Sequence, residues 1–456
     1  MTPTYFSPQN RVVRANNDFL GRNRLVFWFI GCIVSFAGSM GLFNALPSFG
    51  WAVTTGIGIA SIYTSRLLLP LTVVMIFNLL FNLYAIPFIF FDVDLVTLPR
   101  EVALPYLTQV LWIIALFVAV LMLWISSIKK NKQSQASFVV MAQNLRISRL
   151  PTVFYGFIAV LLIATQFGIS GSMVLGKADG YSDYVENLQN ASGLQEYLLV
   201  VFFVAALLMQ TRLQRFIWYL VLTFFVVKLS LVGLRIVALM GVLAGLWFSN
   251  FKFSLRRIFF VFVIGFLVFS FLGLLKEGLP TGDEALTAIF FESQGGRLVS
   301  HHSNVLWAST VMLKLIDGNV IDLTRRAEAF VYYFFNTIIP SGILQRAFGQ
   351  GYLGSWLQDS GYTSGGGHIA VYAYVVGAAP GVVLVASLIG IALRIAVSNS
   401  IGLCAQFARC WLMMTMITFP RWVSYDMGNF LFRLPIYAVI IYSLIFLIRH
   451  SAPTKR

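Results

Sequence analysis

Charge, cysteine and histidine are all scarce in this chain of 456 residues. Charged residues make up 11% and hydrophobic residues 59% of the sequence, whereas soluble globular proteins average about 25% charged residues. The shortage of charge therefore excludes an ordinary soluble protein. Several apolar runs reach the roughly 18 residues that a helix needs to cross the hydrocarbon core. They lack the alternation over about ten residues that is typical of a transmembrane β-barrel, so we expect helical spans.

Few residues could bind a metal. The three cysteines, Cys32, Cys404 and Cys410, all lie in predicted spans. Cys404 and Cys410 fall on nearly opposite sides of one helix, which is unsuitable for a disulfide. The four histidines show neither the H-x-x-x-H nor the HExxH spacing of a zinc site. We therefore expect no metal and no cofactor.

Acidic residues are rare, and their distribution differs from that of the basic residues. The net charge of +15 comes from basic clusters in short loops between apolar runs, and of the 17 acids only Asp18 lies on the same side. This distribution is the positive-inside signal of cytoplasmic loops, rather than a nucleic-acid-binding surface. No Asp or Glu lies deep in a predicted span, which disfavours a proton-coupled transporter.

The apolar runs predict an all-α polytopic membrane protein with about twelve transmembrane helices. Both termini are expected in the cytoplasm, and one large periplasmic loop is expected to hold helices that lie on the membrane surface. The predicted segments are a cytoplasmic N-terminus (1–24), nine transmembrane helices (25–275), the large loop (276–370), three further transmembrane helices (371–449) and a cytoplasmic tail (450–456).

Basic residues on the outer side break the positive-inside rule and are candidates for binding an anion. The set comprises Arg235, Arg297, His301, Arg325, Arg326, Arg421 and Arg433. A guanidinium group suits phosphate oxygens because its donors are planar, permanently charged and bidentate. The alternative for any single arginine is an ordinary salt bridge, for example to Glu292, Glu328 or Asp322, or a contact with lipid headgroups.

His368 follows three glycines at the start of an apolar run, in "TSGGGHIAVYAYVVGAAPG". Gly366 and Gly367 can take positive φ and let the backbone approach a ligand closely. A neutral imidazole at a membrane interface can act as a general base near pH 7. The alternative is a hinge with an interfacial hydrogen bond.

The overall layout resembles the Wzy-type polymerases of O-antigen and related oligosaccharide repeat units. The resemblance is carried by the many spans, the single large loop, and the segments "GGGHIAVYAYVVGAAPG" (365–381) and "LLLPLTVVMIFNLLFNLYAIP" (67–87). The last outer loop, flanked by Arg421 and Arg433, is also similar to that family. The related O-antigen ligases share the architecture, which belongs to the GT-C superfamily.

The resemblance implies a metal-independent, inverting glycosyltransferase in the bacterial inner membrane with its active site facing the periplasm. Its substrates would be undecaprenyl-pyrophosphate-linked oligosaccharides, as donor and as acceptor, in contact with membrane lipids. A chain-length regulator is an optional protein partner, and no nucleic acid is involved. The positions that match ligase site residues are Arg235, one arginine within 297–326, and His368; Glu292 is an alternative base. The competing hypotheses are an O-antigen ligase, a flippase for lipid-linked repeat units and a non-catalytic scaffold.

Overall fold

The computed structural model describes most of the predicted spans but not the whole chain. The described residues are 8–65, 69–91, 94–95, 98–127, 194–209, 211–231, 235–248, 260, 292–294, 297–299, 304–336, 339, 353–363, 366–397, 402–424 and 428–451. Residues 152–173 and, apart from residue 260, residues 258–275, which belong to the stretch 25–275 predicted to form nine transmembrane helices, lie outside them. The expected count of twelve spans and the expected loop boundaries therefore stay predictions.

Helices make up nearly all of the regular structure in these ranges. They are α1 (Pro8–Ser39), α2 (Pro47–Ser65), α3 (Leu69–Tyr84), α4 (Ile86–Phe90), α5 (Arg100–Ser126), α6 (Leu194–Leu208), α7 (Arg212–Leu231), α8 (Arg235–Phe248), α9 (Asn304–Asp317), α10 (Leu323–Asn336), α11 (Leu353–Asp359), α12 (Ile369–Val397), α13 (Leu403–Ser424), a π-helix (Gly428–Arg433) and α14 (Leu434–Ser451). One antiparallel hairpin joins β1 (Glu292–Gln294) to β2 (Arg297–Val299), with Glu292 opposite Val299.

Four described helices are long and apolar enough to cross a membrane. They are Leu71–Phe90, Arg100–Ser126, Arg212–Ser230 and Ile369–Val397. Shorter apolar helices occur at Asn23–Ser39, Tyr197–Leu208, Ile236–Phe248 and Leu431–Leu447. The structure thus agrees with the expected helical membrane protein.

Helix α5 forms the centre of the bundle. It carries no charged residue between Glu101 and its end, and every residue from Val110 to Met122 is buried. A helix that is apolar on all sides is stable only when neighbours surround it, and α1, α2, α9 and α12 all pack against α5. Small residues allow the closest approach: a Cβ on Gly38 would overlap the ring of Trp112.

Helix α9 lies inside the bundle, although it belongs to the segment 276–370 that was expected to lie on the membrane surface. Its residues from Val305 to Leu313 are all buried, and it packs against both α5 and α12. The apolar run "VLWASTVML" supplies no polar face, so burial against other helices is the favoured placement. At least this part of the segment 276–370 therefore belongs to the core of the bundle.

The first of the three transmembrane helices predicted over 371–449 was expected to be one continuous span, and the structure instead breaks α12 at Gly377 and Ala378. Ala378 has a φ of 51° and a ψ of −152°, which a helix does not allow. Gly381 packs directly on the carbonyl oxygen of Ala373, whereas residues eight apart in an unbroken helix are roughly 12 Å apart. The chain therefore folds back on itself at the break.

Contacts with α5 show the same reversal. His368 lies beside Phe117, Tyr374 bonds to Gln109, and Gly390 packs on Trp124. The contact point moves toward Arg100 and then back toward Ser126 as the chain proceeds. Residues 369–376 thus form a re-entrant arm, called the arm below, which begins deep in the bundle beside Phe117 and ends nearer the Arg100 end of α5. Gly377 lies at the break and Gly381 packs on the Ala373 carbonyl, so both glycines shape this turn.

Candidate functional site

Arg325 and Arg326 are adjacent in sequence, but their side chains leave the helix in different directions. Helix α10 begins after Asp322, whose carboxylate accepts the backbone N–H of Arg325 at 2.7 Å, an N-terminal cap of the usual kind. Arg325 points away from the arm: it forms a salt bridge to Glu328 at 3.0 Å and lies over the ring of Trp356. Arg326 is one residue further round the helix and turns toward the arm instead.

Arg326 binds the end of the arm through one nitrogen. Its Nε donates a hydrogen bond to the carbonyl oxygen of Val375, which has no helical partner because α12 breaks two residues later. A cation at this position also complements the helix dipole. Among the described residues, no side chain forms a salt bridge or hydrogen bond with the two terminal amino groups of Arg326. These groups can therefore bind an anion with two parallel hydrogen bonds.

Polar side chains from α5 and α9 lie at the same end of the bundle. The Tyr374 hydroxyl, one residue before the carbonyl that binds Arg326, accepts a hydrogen bond from the Gln109 amide nitrogen at 3.3 Å. One turn toward Arg100, the Tyr106 hydroxyl donates to the Asp317 carboxylate at 2.8 Å. Tyr106 and Gln109 are three residues apart and share one helical face. We call Arg326, Tyr374, Gln109, Tyr106 and Asp317 the polar cluster.

Arg433 occupies the far end of α10, away from Arg326. It is only 3% exposed, donates to the Asn336 side chain at 3.1 Å and lies over the ring of Tyr197. Its guanidinium is thus enclosed by protein groups. Arg421, predicted to act with it, lies partly buried in the last turn of α13.

His368 lies deep in the bundle rather than at its end. It is 0% exposed and contacts Phe81 and Phe117 edge-on. Phe117 is roughly 25 Å along α5 from Arg100, at 1.5 Å per residue. The ring nitrogens are both engaged: Nδ1 accepts the backbone N–H of Ala370 at 3.1 Å, and Nε2 lies 2.9 Å from the side-chain oxygen of Asn78. Nε2 therefore carries the proton, and the ring is neutral.

Gly366 and Gly367 both take positive φ, as expected, at 89° and 149°. The space beside Gly367 is filled by protein, because a Cβ there would overlap the end of Met312 on α9. The carbonyl oxygen of Gly366 accepts the Tyr372 hydroxyl at 3.0 Å. Gly367 thus allows α9 to pack against the arm, and the space beside it that the sequence assigned to substrate is occupied.

The side chains of the remaining predicted site residues lie outside the described part of the structure. Arg235 begins α8, and Glu292 and Arg297 lie in β1 and β2, but their side chains are outside the described part of the structure. His301 also lies outside it. Among the described residues, no group of three His, Cys, Asp or Glu side chains could hold a metal ion.

Four members of the polar cluster were missed by sequence reasoning: Tyr106, Gln109, Asp317 and Tyr374. A usable signal existed for two of them, since Tyr106 and Gln109 interrupt the apolar face of "VALPYLTQVLW" at helical spacing. Tyr374 gives no such signal in "VYAYVV", because its position depends on the reversal of α12.

Comparisons with known proteins do not identify a relative, so the functional argument rests on the geometry of the site. A scan against protein-family models, a search of curated proteins and a search of solved structures found no match to this chain.

Proposed function

We propose that this protein is a membrane glycosyltransferase of the O-antigen polymerase type, in which Arg326 binds the pyrophosphate of a lipid-linked oligosaccharide. The observation that carries the proposal is the geometry of Arg326. Its Nε is fixed by the Val375 carbonyl, and its terminal amino groups have no partner among the described side chains. A guanidinium held in this way is already oriented for two phosphate oxygens, so little further ordering is required when the ligand binds.

The proposed reaction transfers the growing chain from its lipid carrier to a new lipid-linked unit. A hydroxyl of the acceptor attacks the anomeric carbon of the donor, forming a C–O bond while the bond from that carbon to the pyrophosphate oxygen breaks. Negative charge develops on the leaving pyrophosphate, and Arg326 stabilises it through its fixed donors. The product carrier is undecaprenyl pyrophosphate.

The hydroxyl proton must pass to a base. His368 is a poor candidate as placed, because its Nδ1 lone pair already accepts Ala370 and the ring is fully buried. We assign the proton to Asp317, an exposed carboxylate at the same end of the bundle that Tyr106 orients by a hydrogen bond. Glu292, the alternative base from the sequence, remains a second candidate.

The two neighbouring arginines provide a matched test in a strain that depends on this protein for its surface polysaccharide. Arg326→Ala should remove the length ladder on a lipopolysaccharide gel and leave single repeat units on the core, because one fixed charged donor is worth about 10² to 10³ in rate. Arg325→Ala should keep the ladder, since Arg325 is engaged with Glu328 and Trp356. A normal ladder from Arg326→Ala, at wild-type protein level, would refute the proposal.

The same gel separates the alternatives. Loss of an O-antigen ligase leaves no repeat unit on the core, whereas loss of a polymerase leaves one. A flippase is the second candidate that an observation favours, because α12 is interrupted at Gly377 and Ala378 and broken helices are common at transporter binding sites. Loss of a flippase would also leave the core bare, with lipid-linked units accumulating at the cytoplasmic face.

A further inference from the structure

The two ends of the arm are fixed by different groups. At its start, the His368 ring accepts the N–H of Ala370, two residues on, which is the hydrogen bond of a helix N-cap. The backbone N–H of His368 itself donates to the Ser309 hydroxyl at 3.0 Å. At its other end, the Val375 carbonyl accepts Arg326.

The arm needs these anchors because it is roughly two turns long. A helix of this length is not stable in isolation, so contacts at its ends decide its position. His368 joins the arm to two other helices at once, to α3 through Asn78 and to α9 through Ser309. The ring edges of Phe81 and Phe117 fill the remaining space around it.

We infer that His368 is a positioning residue: it anchors the start of the arm so that the Val375 carbonyl, at the other end, holds Arg326 in the orientation that binds pyrophosphate. This inference rests on the proposed function for its effect on activity. Its structural part, that His368 caps and anchors the arm, does not depend on what the protein binds.

Two substitutions separate positioning from proton transfer. Asparagine is among the best N-cap residues, and its side-chain oxygen can accept the Ala370 N–H, whereas alanine cannot. In His368→Asn we expect elongation within about fivefold of wild type, and in His368→Ala a loss of tenfold or more. Elongation would be measured with purified protein in nanodiscs and a lipid-linked repeat unit. The pH dependence of the rate should have the same midpoints in wild type and in His368→Asn.

Amide hydrogen exchange supplies a readout that is independent of activity. Peptides covering 369–376 should exchange about five- to tenfold faster in His368→Ala than in wild type, and about two- to threefold faster in His368→Asn, which keeps the cap but loses the bond to Asn78. If His368→Ala does not accumulate, Asn78→Ala and Ser309→Ala remove one anchoring bond each. They should give smaller increases in the same peptides.

Two results would overturn the inference. One is that amide exchange of 369–376 is unchanged in His368→Ala. If that variant does not accumulate, the equivalent result is unchanged exchange in both Asn78→Ala and Ser309→Ala. The other is equal loss of activity in His368→Asn and His368→Ala together with loss of one limb of the pH profile, which would make His368 the base. Failure of the proposed function looks different: Arg326→Ala would elongate normally while exchange in His368→Ala still rose.

Discussion

The two ends of the arm differ in what their polar groups leave available. At the His368 end, both ring nitrogens and the backbone N–H are bonded, and Gly367 packs on Met312 without spare volume. At the Arg326 end, one nitrogen is bonded, while the forked end of the guanidinium has no partner among the described side chains. One short element thus has a closed end suited to holding a position and an open end suited to binding a ligand.

The largest effect should come from Asp317, the proposed base at the open end. Asp317→Asn keeps the size of the side chain and a hydrogen bond to Tyr106, but cannot take up a proton, so we expect the elongation rate to fall about 10² to 10⁴-fold. The measurement is the rate in nanodiscs under single-turnover conditions. Tyr106→Phe is the matched control: it removes one orienting bond, and its loss should be near tenfold or less. Comparable rates in Asp317→Asn and wild type would move the base to Glu292.

A substitution at the closed end should lower the free energy of unfolding. Gly367→Val forces a branched side chain into a positive φ and into the volume of Met312, which we expect to cost about 3 kcal/mol or more. Thermal denaturation in detergent would show this as a lowered midpoint. Gly361→Ala is the control, because Gly361 also has a positive φ, of 72°, but faces open space; it should lose about 1 kcal/mol. Equal losses at the two glycines would mean that the closed end is less tightly packed than described.

The sequence predicts the core of this protein well and its site only in part. The burial of α5 follows from an apolar run that no charge interrupts, and such a run has few other stable environments. Positive φ at Gly366 and Gly367 was likewise predictable from residue type. These features depend on residue type and on neighbouring residues in the chain, so the sequence alone predicts them.

The site depends on tertiary geometry instead. Arg325 and Arg326 have the same chemistry, and adjacent residues on a helix differ only by a rotation of about 100°. Which of them faces the arm is decided by where α12 reverses, and the partner of Arg326 is a backbone carbonyl that any residue could supply. His368 was proposed as a base from its residue type, its place after three glycines and the resemblance to O-antigen ligases. The sequence cannot show that both of its ring nitrogens are engaged.

The most direct test of the account is the affinity of the purified protein in nanodiscs for undecaprenyl pyrophosphate. Arg326→Ala should weaken binding by about 10- to 100-fold, the value of charge-assisted hydrogen bonds to phosphate. Arg325→Ala should bind within about threefold of wild type. Equal affinity in wild type and Arg326→Ala, with Arg325→Ala weakened instead, would contradict the assignment of Arg326 as the pyrophosphate-binding residue.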